Sequence, residues 1–568
     1  MAEQRRLRKT HIMIKQPRRH TKRLITLAWL GLYLLLSLFI ANNCELAQHR
    51  LAFCLASLFV PLCVLSCGRF LACCLSVPLA SLIIANLYII IHYHKITYDM
   101  CMAIAGTDGA DAATMLRTIP ITPFLLAGLL LGGVLYTTAR AARFRPLHAL
   151  IGFIGCALTF TIALHRPLNR DVAGHYNVAI TYDALHHRYI NNPYFAKNLA
   201  FYINLPGFIG NSLAIFALKQ GYQQTKSYRH SLTFAPHEHI NSAILPGRVV
   251  GEKNIILIIG ESDAARHHGL YGYTEQDTTP HLRTLAAQGA LCAMSNAHSA
   301  ANMTHNAVPM MISFLTPQDR RAILTEKNLI ELARAHGYKT LWVGSHEGTS
   351  LYNSPIGYLS GFSEQVVRPD YSTLPLTVRE HDDESLLPAL QHQLEIYRQE
   401  PAGHFIIIHL IGSHVSYREK TTPEDRHALP RAGSYDQAIH HVDHLIATIL
   451  QMVEQTLPHS TLLYSADHGE ILTSPDNGMH GVYDGGQEQY RIPIYFAGLH
   501  HASYCQQAEA LRQTDGTFSQ LMEKYILLTM MGYQLAPEAL HAARQQDLIL
   551  HSDGETYDYN RLPGPKAP

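Results

Sequence analysis

Five apolar runs crowd the N-terminal part of this 568-residue chain: Leu24–Asn42, Leu51–Leu65, Phe70–His92, Ile119–Tyr136 and Leu147–Leu164. A helix crossing a bilayer needs about 20 mostly apolar residues. The runs meet or approach that length, the second being short. They predict a helical transmembrane domain of about five helices over residues 1–166. No small-residue cleavage site follows the first run and a second run comes at once, so an anchor is expected rather than a cleaved signal. Basic residues set the orientation. Nine of them, from Arg5 to Arg23, precede the first run, and Arg69, Arg140, Arg143 and Arg145 fall in alternate loops. Those segments are expected on the cytoplasmic side, which sends everything after about Arg166 across the membrane, into the periplasm of a two-membrane cell.

The remainder reads differently. Residues 167–251, rich in Tyr, Asn and His, are expected to be a juxtamembrane linker. In it Asn198–Lys219 reads as an amphipathic helix pair on the membrane surface, the alternative being a further crossing. From residue 252 to 550, apolar runs alternate with helical stretches. Asn254–Ile259, Thr340–Val343, His404–Leu410, Thr461–Tyr464 and Ile492–Phe496 read as strands; Asn328–His336, Glu384–Arg398 and Tyr435–Glu454 read as helices. Alternation of this kind predicts an α/β domain with a mostly parallel sheet covered by helices. The Pro- and Gly-containing segment 551–568 is expected to be a loose tail. A net charge of +1 gives no support to nucleic-acid binding. Of ten cysteines only Cys292 and Cys505 lie beyond the apolar part, so at most one disulfide can staple the α/β domain, and whether they pair is open.

In parallel α/β sheets, functional residues gather beyond the carboxyl ends of strands. Four segments sit at such ends or at helix starts. Gly260-Glu261-Ser262-Asp263 offers a carboxylate for a metal or, more blandly, a helix N-cap. Ser465-Ala466-Asp467-His468-Gly469-Glu470 puts a carboxylate and an imidazole side by side, a pairing that suits zinc. His409-Leu410-Ile411-Gly412-Ser413-His414 offers histidines that could bind a phosphoryl oxygen or carry protons; for His409 a structural turn role is the preferred reading. Thr304, in Asn302-Met303-Thr304-His305, reads by itself as an N-cap. Its hydroxyl is a poor nucleophile near neutral pH unless a metal lowers its pKa.

Taken in order, Gly-Glu-Ser, Leu270-Tyr271-Gly272-Tyr273 with Thr278-Thr279-Pro280, Thr304 with Pro309, the His409–His414 run, Asp467-His468-Gly469-Glu470 and His480 resemble the phosphoethanolamine transferases of Gram-negative bacteria, members of the alkaline phosphatase/sulfatase superfamily. The resemblance extends to the five-helix anchor. It implies that Glu261, Thr304, Asp467 and His468 hold a catalytic zinc. It also implies that Thr304 is the nucleophile, through a covalent phosphoethanolamine–threonine intermediate, and that His414 and His480 contact the phosphoryl group or a further zinc. The implied donor is phosphatidylethanolamine, drawn from the membrane lipids, and the implied acceptor is lipopolysaccharide (lipid A or core) or another envelope glycan, at the bacterial inner membrane. The sequence departs from the family at Ala466, where Ser is frequent. It departs again at His346 and Ser350, which stand where lipid A-modifying members carry Asn and Lys, and this leaves the acceptor open. A sulfatase fits poorly, because Thr304 is followed by His305-Asn306-Ala307 rather than the Pro and Arg of a formylglycine motif. A phosphoglycerol transferase and a non-catalytic membrane scaffold or sensor are the other readings.

Overall fold

The computed structural model describes residues 19–43, 54–97, 121–165, 236–320, 322–346, 354–368, 383–545 and 547–564, with Met100, Ile104 and Ile119. The expected surface helix pair at 198–219 lies outside the described residues. The chain divides into two compact units, one built on the N-terminal helices and one on the sheet.

In the first unit the apolar runs fold as α1 (Arg19–Asn42), α2 (Phe59–Ser66), α3 (Arg69–Tyr93), α4 (Ile121–Ala141) and α5 (Pro146–His165). Among the described residues three helices are long and apolar enough to cross a membrane: Leu24–Asn42, Arg69–Tyr93 and Ile121–Ala141. The apolar stretches Cys54–Ser66 and Pro146–Thr159 are shorter. Thus each apolar run expected from the sequence contains helix where described, but length and composition qualify only three. The second run is cut by a turn at Ser57, whose hydroxyl donates to the Cys54 carbonyl at 2.6 Å. Gly155 lets α5 meet α2, because a Cβ there would sit 2.3 Å from the Phe59 ring. Leu129, Phe70 and Phe153 point outward, as side chains facing lipid do. The short turns at Cys67 and Phe144, beside Arg69, Arg143 and Arg145, pair through an isolated antiparallel bridge. These basic turns therefore lie at one end of the helices.

The second unit is organised by a seven-stranded mixed sheet. Its strands are β1 (Asn254–Gly260), β2 (Leu291–Met294), β3 (Lys339–Gly344), β4 (Gln365–Val367), β5 (His404–His409), β6 (Ser460–Ala466) and β7 (Ile494–Gly498), in the order β2-β7-β6-β1-β5-β3-β4. The run β6-β1-β5-β3-β4 is parallel throughout; β7 is antiparallel to both of its neighbours. The sequence signals five of these strands and misses the edges β2 and β4, which are only four and three residues long. In β1, Ile255, Leu257 and Ile259 enter one apolar cluster, while Ile256 and Ile258 enter the cluster on the opposite face. Burial on both faces explains why this strand reads as an unbroken apolar run rather than an alternation. The helices match closely: Asn328 caps Leu329–Ala335 in a capping box with Glu331, and the third expected helix is α7 (Ser434–Thr456). Thr304 opens α6 (Thr304–Ile312).

Two expectations change. Within the expected linker, Ile244–Arg248 pairs antiparallel with Tyr533–Leu535 and so belongs to the sheet-bearing unit. The segment from residue 551 is not loose through residue 564. Strands β8 (Leu548–Leu550) and β9 (Thr556–Asp558) form an antiparallel hairpin whose turn buries His551, Ser552 and Asp553. Prolines and glycines at its end suggested looseness, but local composition is silent about backbone partners supplied from elsewhere in the chain. Leu550 N–H donates to the Ala300 carbonyl at 2.8 Å.

Cys292 on β2 and Cys505 on the helix His501–Ala510 form a disulfide, with Cα atoms 6.3 Å apart and 213 residues between them in sequence. Closing so long a loop restricts the unfolded chain and is worth about 2–4 kcal/mol. Replacing both cysteines by serine should lower the melting temperature of this unit in differential scanning calorimetry by several degrees. An unchanged midpoint would show the bridge to be energetically idle.

Candidate metal centre and nucleophile

Strand register brings the candidate residues together. Gly260 of β1 is paired with Ala466 of β6, and Ile259 with His409 of β5; Gly344 of β3 is in turn paired with His409. The residues that follow, Glu261, Asp467 and Ser345-His346, consequently emerge side by side with His409 at the carboxyl edge of the sheet. The Asp467 N–H donates to the Gly260 carbonyl at 2.9 Å and prolongs the pairing past the strand ends.

Glu261, Asp467 and His468 are wholly buried and Thr304 is nearly so. The His468 Nδ1–H donates to its neighbour's carbonyl, Gly469 O, at 2.9 Å. That bond leaves the Nε2 lone pair aimed into the cluster, 3.2 Å from Thr304 Oγ1, 3.3 Å from Asp467 Oδ2 and 3.5 Å from Glu261 Oε1. Thr304 Oγ1 also lies 3.3 and 3.2 Å from the two Glu261 oxygens. Asp467 Oδ1 accepts from the backbone N–H groups of Ser262 and His468 at 3.0 and 2.7 Å, whereas Oδ2 is buried with no hydrogen-bond partner.

This is a site shaped for a cation. Burial, and then the Asp467 carboxylate alongside, push the Glu261 carboxyl well above its ordinary range. Burial lowers the His468 pKa, keeping the ring in its neutral, metal-ligating form. Two carboxylates and an imidazole whose ligand atoms lie within 4.8 Å of one another, one oxygen orphaned, could hold a metal ion. Carboxylate and imidazole donors suit zinc.

All six predicted site residues are in this neighbourhood. The His480 ring stands 4.1 Å from that of His468 and 6.4 Å from that of His414, centroid to centroid. His480 Nδ1 bonds Glu470 Oε2 at 2.9 Å, and Tyr417 donates to the other Glu470 oxygen at 2.8 Å. Burial pulls the His480 pKa down, but the Glu470 carboxylate outweighs it and the net shift is upward. His468, Glu470 and His480 thus form a second group with metal-ligating spacing. The helix-cap readings do not hold. Ser262 adopts a left-handed φ of 52° and caps no helix, and Thr304 is the first residue inside α6, with Met303 at the cap position.

Sequence reasoning missed the other side of the centre. His409, read as a turn residue, is fully buried with neither ring nitrogen hydrogen-bonded, stacked on His346 at 4.0 Å. His346 Nε2 lies 3.5 Å from Glu261 Oε2 and 3.0 Å from the Leu410 carbonyl. With Glu261 they form a third group of metal-ligating spacing. Burial lowers the His346 pKa to about 4 and drives that of His409 well below the usual histidine range. The strand-end rule, applied to β3 and to His409 itself, was the signal that could have found them. Supporting residues left no such signal. Asp383 accepts from the N–H groups of Ile411 and Gly412 at 3.0 and 2.8 Å and from the Ser345 hydroxyl, fixing the turn before His414. Gln520 donates to the Ala466 carbonyl at 2.6 Å and accepts from Ala300 N–H at 3.1 Å, tying the Asp467 edge to the loop that leads to Thr304. Tyr435, the first residue of the helix expected over Tyr435–Glu454, donates to the Ser262 carbonyl at 2.8 Å and accepts from Ala264 N–H at 2.9 Å.

Comparison with known proteins places this arrangement. The Sulfatase family profile matches residues 253–523, the stretch that contains every strand of the main sheet and every residue of the centre. Phosphoethanolamine transferase EptC of Escherichia coli K12 is 26% identical over 302 residues, 49% of this chain and 50% of that protein. The Kdo(2)-lipid A phosphoethanolamine 7''-transferase of the same strain is 24% identical over 263 residues, 43% of this chain and 44% of that protein. The chain therefore matches about half the length, or less, of these curated relatives. Among solved structures, the integral membrane lipooligosaccharide phosphoethanolamine transferase A of Neisseria meningitidis shares the fold, with a TM-score of 0.52 at 19% identity over 85% of this chain and 88% of that one. Residues 253–523 thus match the Sulfatase family profile, and the curated relatives to which the chain is similar are named phosphoethanolamine transferases.

Proposed function

We propose that the chain transfers phosphoethanolamine from phosphatidylethanolamine to an envelope acceptor, lipopolysaccharide or another glycan, with Thr304 as nucleophile. The observation that carries this reading is the Thr304 hydroxyl, buried 3.2 Å from both a Glu261 oxygen and the His468 lone pair. A threonine in a cluster of metal-ligating groups is arranged for phosphoryl chemistry rather than for a helix cap. Zinc held by Glu261, Asp467, His468 and Thr304 would supply the positive charge that makes the hydroxyl a competent nucleophile.

The chain's own groups then divide the work. Thr304 Oγ1 forms a bond to the donor phosphorus as the bond to the diacylglycerol oxygen breaks, and the threonine proton ends on diacylglycerol. In the second half the acceptor hydroxyl oxygen bonds phosphorus, the Thr304 ester breaks, and the acceptor's proton returns to the threonine. One site serves both halves in turn, so ping-pong kinetics follow. His414 and His480, at the rim, donate to the phosphoryl oxygens; the upward-shifted His480, backed by Glu470, is well suited to a negatively charged group. The apolar helices hold the chain in the lipid that contains the donor, which raises the donor's effective concentration. In this reading five crossings of the inner membrane leave the sheet-bearing unit in the periplasm, consistent with the basic turns gathered at one end of the helices. His346 in place of Asn alters the pocket wall beside Glu261 and distinguishes the acceptor site from that of lipid A-modifying members.

Purified full-length protein in lipid nanodiscs with fluorescent phosphatidylethanolamine should release fluorescent diacylglycerol and gain one phosphoethanolamine on Thr304 by peptide mass spectrometry. Release from phosphatidylglycerol instead would convert the reading to a phosphoglycerol transferase, and release from neither donor would abolish it. Thr304→Ala should keep the fold by circular dichroism yet lose donor cleavage by at least about three orders of magnitude. An adduct on any other residue removes Thr304 from its role. Glu261→Gln and Asp467→Asn should each weaken zinc affinity at least about tenfold, measured by competition with a chromogenic chelator; wild-type affinity in both would refute the ligand set.

A further inference from the structure

The hairpin β8–β9 lies far along the chain from the catalytic residues, yet its turn touches two of the loops that present them. On one side, the single lone pair of His551 Nδ1 is shared by the Asn302 side-chain amide at 3.1 Å and the Tyr490 hydroxyl at 2.7 Å. Asn302 is two residues before Thr304, and the Leu550 N–H bonds the Ala300 carbonyl in the same loop at 2.8 Å. On the other side, the Ser552 hydroxyl donates to the Gly481 carbonyl at 2.8 Å, one residue after His480. Gly481 has a φ of +66°, and a Cβ there would lie 2.4 Å from Met303 Sδ, so the His480 turn and the Thr304 turn press directly on each other beneath the hairpin. Two more bonds fasten the hairpin to the chain beyond α6: Arg320 Nη2 to the Gly554 carbonyl at 2.7 Å and Thr556 Oγ1 to the Pro317 carbonyl at 3.1 Å. His551, Ser552 and Asn302 are all buried, where such bonds are not exchanged for water.

We propose that the C-terminal hairpin is a positioning clamp: His551 fixes the turn that presents Thr304, Ser552 fixes the turn that presents His480, and one rigid turn sets the distance between nucleophile and phosphoryl-binding histidine. Neither residue touches the reacting atoms; both act through backbone they hold. The need for the clamp is physical. The loop Asn302–Met303 and the turn at Gly481 lie outside the main sheet, so strand register does not align them. In-line attack on phosphorus tolerates little misplacement: a shift on the order of 1 Å can cost about 10²-fold in rate.

The inference rests on the proposed transferase reading for its kinetic consequence but not for its structural one, and the test separates them. Ser552→Ala and His551→Ala are made in the full-length chain in nanodiscs, with Ser552→Thr and His551→Asn as conservative partners that keep the hydroxyl donor and an acceptor at the Nδ1 position. Hydrogen exchange in both alanine variants should quicken at least about fivefold in peptides covering 300–307 and 478–483 while the sheet strands keep their protection. With fluorescent phosphatidylethanolamine, the rate constant for Thr304 adduct formation should fall about tenfold or more, the donor KM staying within about twofold, and the conservative partners should restore most of it. Unchanged exchange in those two segments overturns the clamp, as does a normal adduct rate. A loss that follows global melting and is not rescued by threonine or asparagine overturns it too. If the wild-type protein forms no adduct, the transferase reading falls while exchange still decides the clamp.

Discussion

Two buried carboxylates, Glu261 and Asp467, stand next to each other at the edge of the sheet, and the rest of the site follows from that juxtaposition. Like charges in a low-dielectric interior repel strongly, and burial alone penalises each. The fold nonetheless holds them there, through the β1–β6 pairing that continues one residue past the strands in the bond from Asp467 N–H to Gly260 O. Around them the arrangement is uniformly that of a cation site: a neutral imidazole lone pair, a hydroxyl, and an unpartnered Asp467 oxygen all face the same space. Protonating Glu261 would relieve the repulsion, but the single Thr304 hydroxyl proton cannot serve both the Glu261 oxygens and His468 Nε2. A cation could satisfy all of them together, which makes Glu261, Asp467 and His468 a candidate metal-ligand set.

How much of this was legible in the sequence depended on whether the cause was local. Strand β1 announced itself because burial on both faces demands an unbroken apolar run, and the strand-end rule then nominated Glu261, Asp467 and His468 without any knowledge of tertiary contacts. The capping box at Asn328 and Glu331 was equally local, and the helix began where those residues placed it. By contrast, the edges β2 and β4 are four and three residues long, too short for a period to stand out. His409 misled for an opposite reason. A histidine at the last position of a buried strand resembles a turn residue until the neighbouring strand β3 is known to supply His346 for it to stack against. The C-terminal segment was misjudged because prolines and glycines report backbone freedom, whereas its order comes from bonds to Ala300, Asn302 and Gly481. The resemblance to a family supplied what periodicity could not, the role proposed for Thr304, since a lone threonine at a helix start has the ordinary reading of a cap.

The support beneath the centre is as organised as the centre itself. Asp383, Gln520 and Tyr435 each bond main-chain groups of the site loops rather than its ligands. Side chains that bind backbone restrain a loop whichever way its own side chains rotate, so the metal-facing atoms inherit precision from several directions. The price of such a design is that these residues are scattered over the sequence with no spacing rule linking them to the ligands, which is why Asp383 and Gln520 were not singled out beforehand.

Ser262 shows how tightly that support is drawn. It adopts a left-handed backbone with φ of 52°, a conformation that costs a non-glycine residue roughly 1–2 kcal/mol. Glycine would remove that cost but also the hydroxyl, and the hydroxyl donates to Glu261 Oε1 at 2.7 Å. The same residue gives its N–H to Asp467 Oδ1 at 3.0 Å, and its carbonyl accepts from Tyr435 and from Ser413 at 2.8 and 3.1 Å. Every polar group of the serine is thus engaged, two of them on the paired carboxylates and the third on residues from α7 and the His414 turn. The strained backbone is what lets one side chain and one N–H reach both carboxylates at once.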